Sequence, residues 1–142
     1  MQEYMDFISN NLMLSIAWIV IAVMLLTTVF KDKFSKFKGI NPQQATLLIN
    51  KEDAVVVDVR TAEEFKKGHV VNAKNIPLSQ INEGKLNIIE NKKNNPIIVV
   101  CATGARSSGA AAKLVTAGFE KVYSLSPGMS GWTAANLPTT KK

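Results

Sequence analysis

The chain has 142 residues, enough for one compact domain with an appendage but short for two full domains. Its formal charge of +6 is unevenly laid out: all 17 Lys and Arg follow Phe30, while the first thirty residues carry only Glu3 and Asp6 as charged side chains. The lysines are scattered, with no dense tract and no interleaved aromatics, which argues against a nucleic-acid partner. A single cysteine excludes an intramolecular disulfide and a CxxC metal pair, and an unpaired thiol fits a reducing compartment.

After a tail at residues 1–11, the segment Leu12–Phe30 runs nineteen residues without a charge. As a helix it spans about 28 Å, close to a bilayer hydrocarbon core of about 30 Å. Its polar residues, Ser15, Thr27 and Thr28, carry hydroxyls that a helix satisfies internally. No Lys or Arg precedes the span and TTVFKDK offers no A-x-A-like cleavage site, so the segment does not read as a signal peptide. It is apolar all round, unlike an amphipathic core helix. These features predict one transmembrane helix at 12–30, with the lipid bilayer as a partner. Lys31, Lys33, Lys36 and Lys38 follow it against Asp32 alone. The positive-inside rule then puts the N-terminus outside and the remaining chain in the cytoplasm.

Residues 31–39 form a basic linker ending in Gly39, and residues 40–136 carry the pattern of a folded domain before a C-terminal tail at 137–142. Asn41 and Pro42 open a helix whose apolar face is Ala45, Leu47, Leu48 and Ile49. Ala54–Val59 is a β-branched run suited to a strand buried on both faces. Thr61 caps a short helix to Lys67, with Glu63 and Glu64 at its positive end and Gly68 closing it. Ala73–Ile76 is a short strand, Ser79–Glu90 a helical stretch broken by Gly84, and Ile97–Val100 a second buried strand after Pro96. A loop, Cys101–Arg106, leads to a helix at Ser107–Ala117. Val122–Leu125 is the last strand. Pro127, Gly128 and Gly131 make a turn, and Trp132 begins a terminal helix or coil that packs on the core. Strands alternating with helices predict a layered α/β domain.

The segment IIVV-CATGAR-SSGAAAKLV carries the chemistry. Ligands in parallel α/β sheets bind beyond the carboxyl ends of the strands, which is where Cys101 falls. A lone cysteine is either a small buried hydrophobe or a reactive group; the surrounding residues favour the second. Only a thiolate attacks, and the free amides of a curved loop and of a helix start stabilise an anion. Gly104 lets the backbone turn those amides inward, Ala102 and Ala105 leave access open, and Arg106 offers a permanent positive charge to an oxyanion such as thiosulfate. Ser107 and Ser108 can cap the helix or donate to a substrate. Asp58 and Arg60, with Glu64 nearby, suit a structural charge network that supports the site. His69, the only histidine, follows Gly68 at a turn far from the loop, and Met129 and Ser130 fall near the site mouth.

These residues resemble the rhodanese-like superfamily over nearly all of 40–136. The loop Cys101-Ala102-Thr103-Gly104-Ala105-Arg106 fits its C-x-x-G-x-R form. Asp58-Val59-Arg60, Glu64-Phe65, Gly68-His69, Ala73 and Asn75-Ile76-Pro77 fit its amino-terminal signature. Val122-Tyr123, Leu125, Gly128, Gly131 and Trp132 resemble its carboxyl-terminal one. Asn72 and Pro127 stand where the family often has glycine; Asn tolerates positive φ, and Pro127 alters the last turn. Related dual-specificity phosphatases have a loop one residue longer. Here Arg106 is five positions after Cys101, a smaller loop suited to a single sulfur rather than a phosphate.

The resemblance implies a three-layer α/β domain with a central, mainly parallel sheet flanked by helices, preceded by one transmembrane helix. The arrangement is similar to single-domain rhodanese-like proteins anchored in the inner membrane of Gram-negative bacteria. The implied function is sulfur transfer. Thiosulfate or a persulfide donates a sulfane sulfur to Cys101, residues Ala102–Arg106 bind the donor, and a thiol, a protein acceptor or cyanide removes the sulfur. No cofactor or metal is required. The rival implication is a non-catalytic interaction module that docks membrane or envelope-biogenesis proteins, which the anchor itself motivates.

Overall fold

The computed structural model describes the backbone of residues 1–34 and 37–141 and the side chains of residues 1–30 and 37–141. The chain divides into two units, Met1–Ser35 and Lys36–Lys142. In the first, helix α1 (Gln2–Asn10) occupies most of the expected tail and helix α2 covers Leu12–Phe34. Leu12–Phe30 is long and apolar enough to cross a membrane, and none of it is buried within the protein. Thr27 Oγ1 donates to the Met24 carbonyl at 2.9 Å and Thr28 Oγ1 to that of Leu25 at 2.8 Å, so both hydroxyls are satisfied inside the helix. The side chains of Lys31, Lys33 and Lys36 lie outside the described residues, as does Lys142.

The second unit is built on a five-stranded sheet. Its strands are β1 (Lys38–Ile40), β2 (Val55–Asp58), β4 (Lys74–Asn75), β5 (Ile97–Val100) and β6 (Val122–Leu125). They lie in the order β1-β6-β5-β2-β4, and every pairing is parallel. The period of two along a strand sorts the β-branched runs onto two faces. Val57, Ile97 and Val99 join one core with Ile81, Ala110, Ala111, Leu114 and Phe119. Val56, Ile98 and Val100 join the other with Ile40, Ala45, Met129 and Trp132. The central strands are therefore covered on both sides, as a parallel sheet requires. The layers are supplied by α3 (Pro42–Glu52), α4 (Ala62–Lys67), α5 (Leu78–Asn82), α6 (Ala105–Thr116) and α7 (Met129–Ala134).

Local signals set two helix starts. Asn41 Oδ1 accepts the Gln44 N–H at 2.8 Å and Gln44 Oε1 accepts the Asn41 N–H at 3.0 Å, with Pro42 at the first helical position. Thr61 and Glu64 form the same reciprocal cap on α4. Asn72 takes φ +64, a conformation asparagine accepts.

Several expectations are corrected. β1 lies in the segment expected as linker, because its pairing with β6 is decided by the sheet and not by its short, weakly apolar sequence. Leu47 is exposed, so the buried stripe of α3 is Pro42 and Ala45 with Leu48 and Ile49 partly covered. The expected Ala73–Ile76 strand is only Lys74–Asn75, and the helical stretch before Glu90 shortens to α5. A small antiparallel pair, β3 (His69–Val70) with β7 (Thr139–Thr140), recruits part of the expected tail. Trp132 Nε1 donates to the Pro138 carbonyl at 3.1 Å, holding that tail against the domain.

Candidate active site

Cys101 follows β5 directly and is 1% exposed. The loop after it is shorter than expected. α6 begins at Ala105 rather than Ser107, so Ala105 and Arg106 are its first two residues and only Ala102–Gly104 bridge strand and helix. Gly104 takes φ +96 and supplies the turn without a side-chain cap. Its N–H donates to Cys101 Sγ at 2.9 Å.

The loop carbonyls are drawn the other way. The N–H of Met129 donates to the Cys101 carbonyl at 2.8 Å, and that of Ser130 to the Ala102 carbonyl at 3.2 Å. Fixing those oxygens on α7 leaves amides facing the sulfur. Gly128, at φ +81, makes this approach feasible: a Cβ there would collide with the Cys101 carbonyl and come within 3.0 Å of the Ala102 oxygen and the Gly104 nitrogen.

Two opposing influences act on the thiol. Burial pushes its pKa up; the backbone amides of Ser107, Gly104 and Arg106 pull it down and prevail, leaving it below the ordinary thiol value. Ser107 is fully buried. Its Oγ donates to the Gly104 carbonyl at 2.8 Å and lies 2.7 Å from Ser124 Oγ on β6, so the two hydroxyls form a chain behind the sulfur. Ser108 is exposed.

The Arg106 guanidinium is paired with Glu64. Its Nη2 lies 3.4 Å from Glu64 Oε1, and both side chains are partly exposed. Glu64 thus pairs across to the active loop rather than joining the Asp58–Arg60 network, a correction to its expected place. The reason is topological: α4 leaves the end of β2, which lies beside β5 in the sheet.

Asp58 and Arg60 are buried and closed on each other. Arg60 Nη2 is 2.7 Å from Asp58 Oδ2 and donates to the Gly68 carbonyl at 2.7 Å, while Nε contacts both carboxylate oxygens at 3.0 and 3.1 Å. Asn75 Nδ2 adds bonds to the Asp58 and Arg60 carbonyls at 3.1 and 3.0 Å. This network shapes the chain between β2 and α4. His69 is structural as well: its Nδ1 is 2.7 Å from the Phe65 carbonyl and its ring stacks on Phe65 at 3.6 Å.

A cleft of about 320 Å³ is lined by Arg60, Glu64, Lys67, Gly68, Met129, Thr133 and Thr139; it is linked to the loop through Glu64, which pairs with Arg106, and Met129, whose N–H holds the Cys101 carbonyl. Sequence reasoning did not assign Ser124 or Gly128 to the site, nor Glu64 to its mouth. The only available signal was the adjacency of neighbouring strand ends in a parallel sheet.

The family model for the rhodanese-like domain matches residues 41–135. The chain belongs to the rhodanese-like domain family, with the α/β rhodanese fold. Over 99% of each chain it is 43% identical to "Uncharacterized protein YibN" of Escherichia coli strain K12. It is 39% identical to "Thiosulfate sulfurtransferase GlpE" of Pseudoalteromonas translucida, over 70% of this chain and 91% of that one. Among solved structures, a rhodanese-related protein from Thermoplasma volcanium superposes with a TM-score of 0.64 at 30% identity, covering 75% of this chain and all of that one.

Proposed function

We propose that this protein is a membrane-anchored sulfurtransferase in which Cys101 carries the sulfur. The observation that supports it most is the Gly104 N–H donated to Cys101 Sγ at 2.9 Å, which together with the amides of Ser107 and Arg106 favours the thiolate despite burial. With thiosulfate as donor, the thiolate attacks the outer sulfur, the sulfur–sulfur bond of thiosulfate breaks, and sulfite leaves with the bonding pair. The resulting Cys101 persulfide is an anion, and the amides that face the thiolate are suited to hold it. Cyanide or an acceptor thiolate then attacks the terminal sulfur and the Cys101 thiolate is restored, so one transfer becomes two simpler displacements. Ala102–Arg106 line the path of the donor, and Asp58, Arg60 and Ser107 support the loop from behind.

Full-length protein incubated with thiosulfate gains the mass of one sulfur at Cys101, and cyanide removes it as thiocyanate. Cys101→Ser gains nothing and turns over nothing. A wild-type thiol that takes up no sulfur from thiosulfate or from an alkyl persulfide overturns the catalytic reading. Docking of a membrane protein that persists in Cys101→Ser, without any sulfur transfer by wild type, favours the interaction-module reading instead.

A further inference from the structure

The charges around the cleft do not suit a free dianion. Arg60 is matched by Asp58, and Arg106 by Glu64. Lys67, which lines the cleft with Arg60 and Glu64, has no carboxylate at ion-pair distance among the described residues. One net positive charge then faces a donor that, as thiosulfate, carries two negative ones and approaches a thiolate. A dianion has to compete with Glu64 for the charge of Arg106.

Glu64 cannot easily give way. Its Oε2 accepts the Thr61 N–H at 3.0 Å and the Thr61 hydroxyl at 3.2 Å, as the third residue of α4. Swinging the carboxylate aside would uncap the helix. The Thr61 backbone N–H holds its carboxyl below the usual carboxylate range; slight burial works against this and Arg106 reinforces it. Arg106 is the movable partner, since only its Nη2 is engaged.

We infer that Glu64 is a specificity-determining residue: it fixes a carboxylate at the cleft mouth that occupies Arg106 and biases the site against dianionic thiosulfate, toward sulfur donors of lower charge such as persulfides. This rests on the sulfurtransferase reading. A partly exposed ion pair and a fixed like charge lining the cleft together set a bias of about three- to tenfold.

The test compares thiosulfate, a dianion, with methanethiosulfonate, a monoanion that presents the same sulfane sulfur. Full-length wild type, Glu64→Gln and Glu64→Asp are assayed in detergent micelles with cyanide as acceptor. Glu64→Gln keeps an oxygen for the Thr61 N–H. It is expected to lower KM for thiosulfate about three- to tenfold, with a clearly smaller change for methanethiosulfonate, and the difference should shrink as salt is raised. Glu64→Asp retains the charge and should keep a KM ratio close to wild type. Equal changes for both donors, or an unmoved thiosulfate KM, overturn the inference while leaving sulfur transfer intact. If wild type and both variants take sulfur from neither donor, nor from an alkyl persulfide, the sulfurtransferase reading falls and the inference falls with it.

Discussion

At the scale of single residues, Ser107 makes the testable difference between a cysteine and a nucleophile. Its amide acts on Cys101 against the cost of burial, while its hydroxyl, fixed by Ser124 from β6, holds the carbonyl of Gly104, whose N–H faces the sulfur. Ser107→Ala removes the hydroxyl and keeps the amide, so the loop amides lose their anchor. The midpoint for iodoacetamide alkylation of Cys101 should rise toward the ordinary thiol value, and the rate at neutral pH should fall severalfold. The sign follows from the charged form: a depressed thiol pKa means more thiolate at a given pH, so loosening the amides moves the profile to the alkaline side. The same depression stabilises the fold above the unfolded thiol's pKa, and that contribution is lost as pH falls through the folded value. Cys101, Gly104 and Arg106 were legible in sequence because their spacing is local. Ser124 was not, because its contact with Ser107 joins a strand to a helix seventeen residues apart. Arg106 was legible as a cation at the mouth, but its partner Glu64 lies forty-two residues away and is brought there by the sheet.

At the scale of elements, the same division recurs. Helices announced by reciprocal caps, Asn41 with Gln44 and Thr61 with Glu64, begin where the sequence says. The start of α6 does not, because Gly104 turns the chain by its backbone alone and leaves no side-chain signature. Strands β1, β3 and β7 are two or three residues long, and their existence depends on a partner strand. The active loop likewise depends on a second element, since α7 holds its carbonyls. Gly128→Ala tests that dependence. The added methyl meets the Cys101 carbonyl at a positive φ, and the substitution should cost about 1–3 kcal/mol of stability in denaturant melts. It should also reduce sulfur uptake by Cys101 by at least about tenfold, because a misplacement of about 1 Å at the reacting centre has consequences of that order or larger.

At the scale of the whole molecule, the chain combines a domain with a closed two-sided core and a helix whose Leu12–Phe30 span is not buried within the protein. Leaving so apolar a span of nineteen residues in water is far outside what a soluble surface tolerates. The protein should therefore stay in the membrane pellet after alkaline carbonate washing, and a variant lacking residues 1–35 should be released. In intact spheroplasts, external protease should remove a tag placed before Met1 and spare the domain. Domain cleavage under those conditions would reverse the proposed orientation.

The hold of α7 on the loop also has a temporal side. Cys101–Arg106 leaves the ribosome well before Gly128–Ser130, the residues whose backbone fixes the loop from behind. A growing chain that already contains the complete C-x-x-G-x-R segment therefore lacks the backbone partners of the Cys101 and Ala102 carbonyls, and the loop is held in its final form only once the last helix has been made and docked.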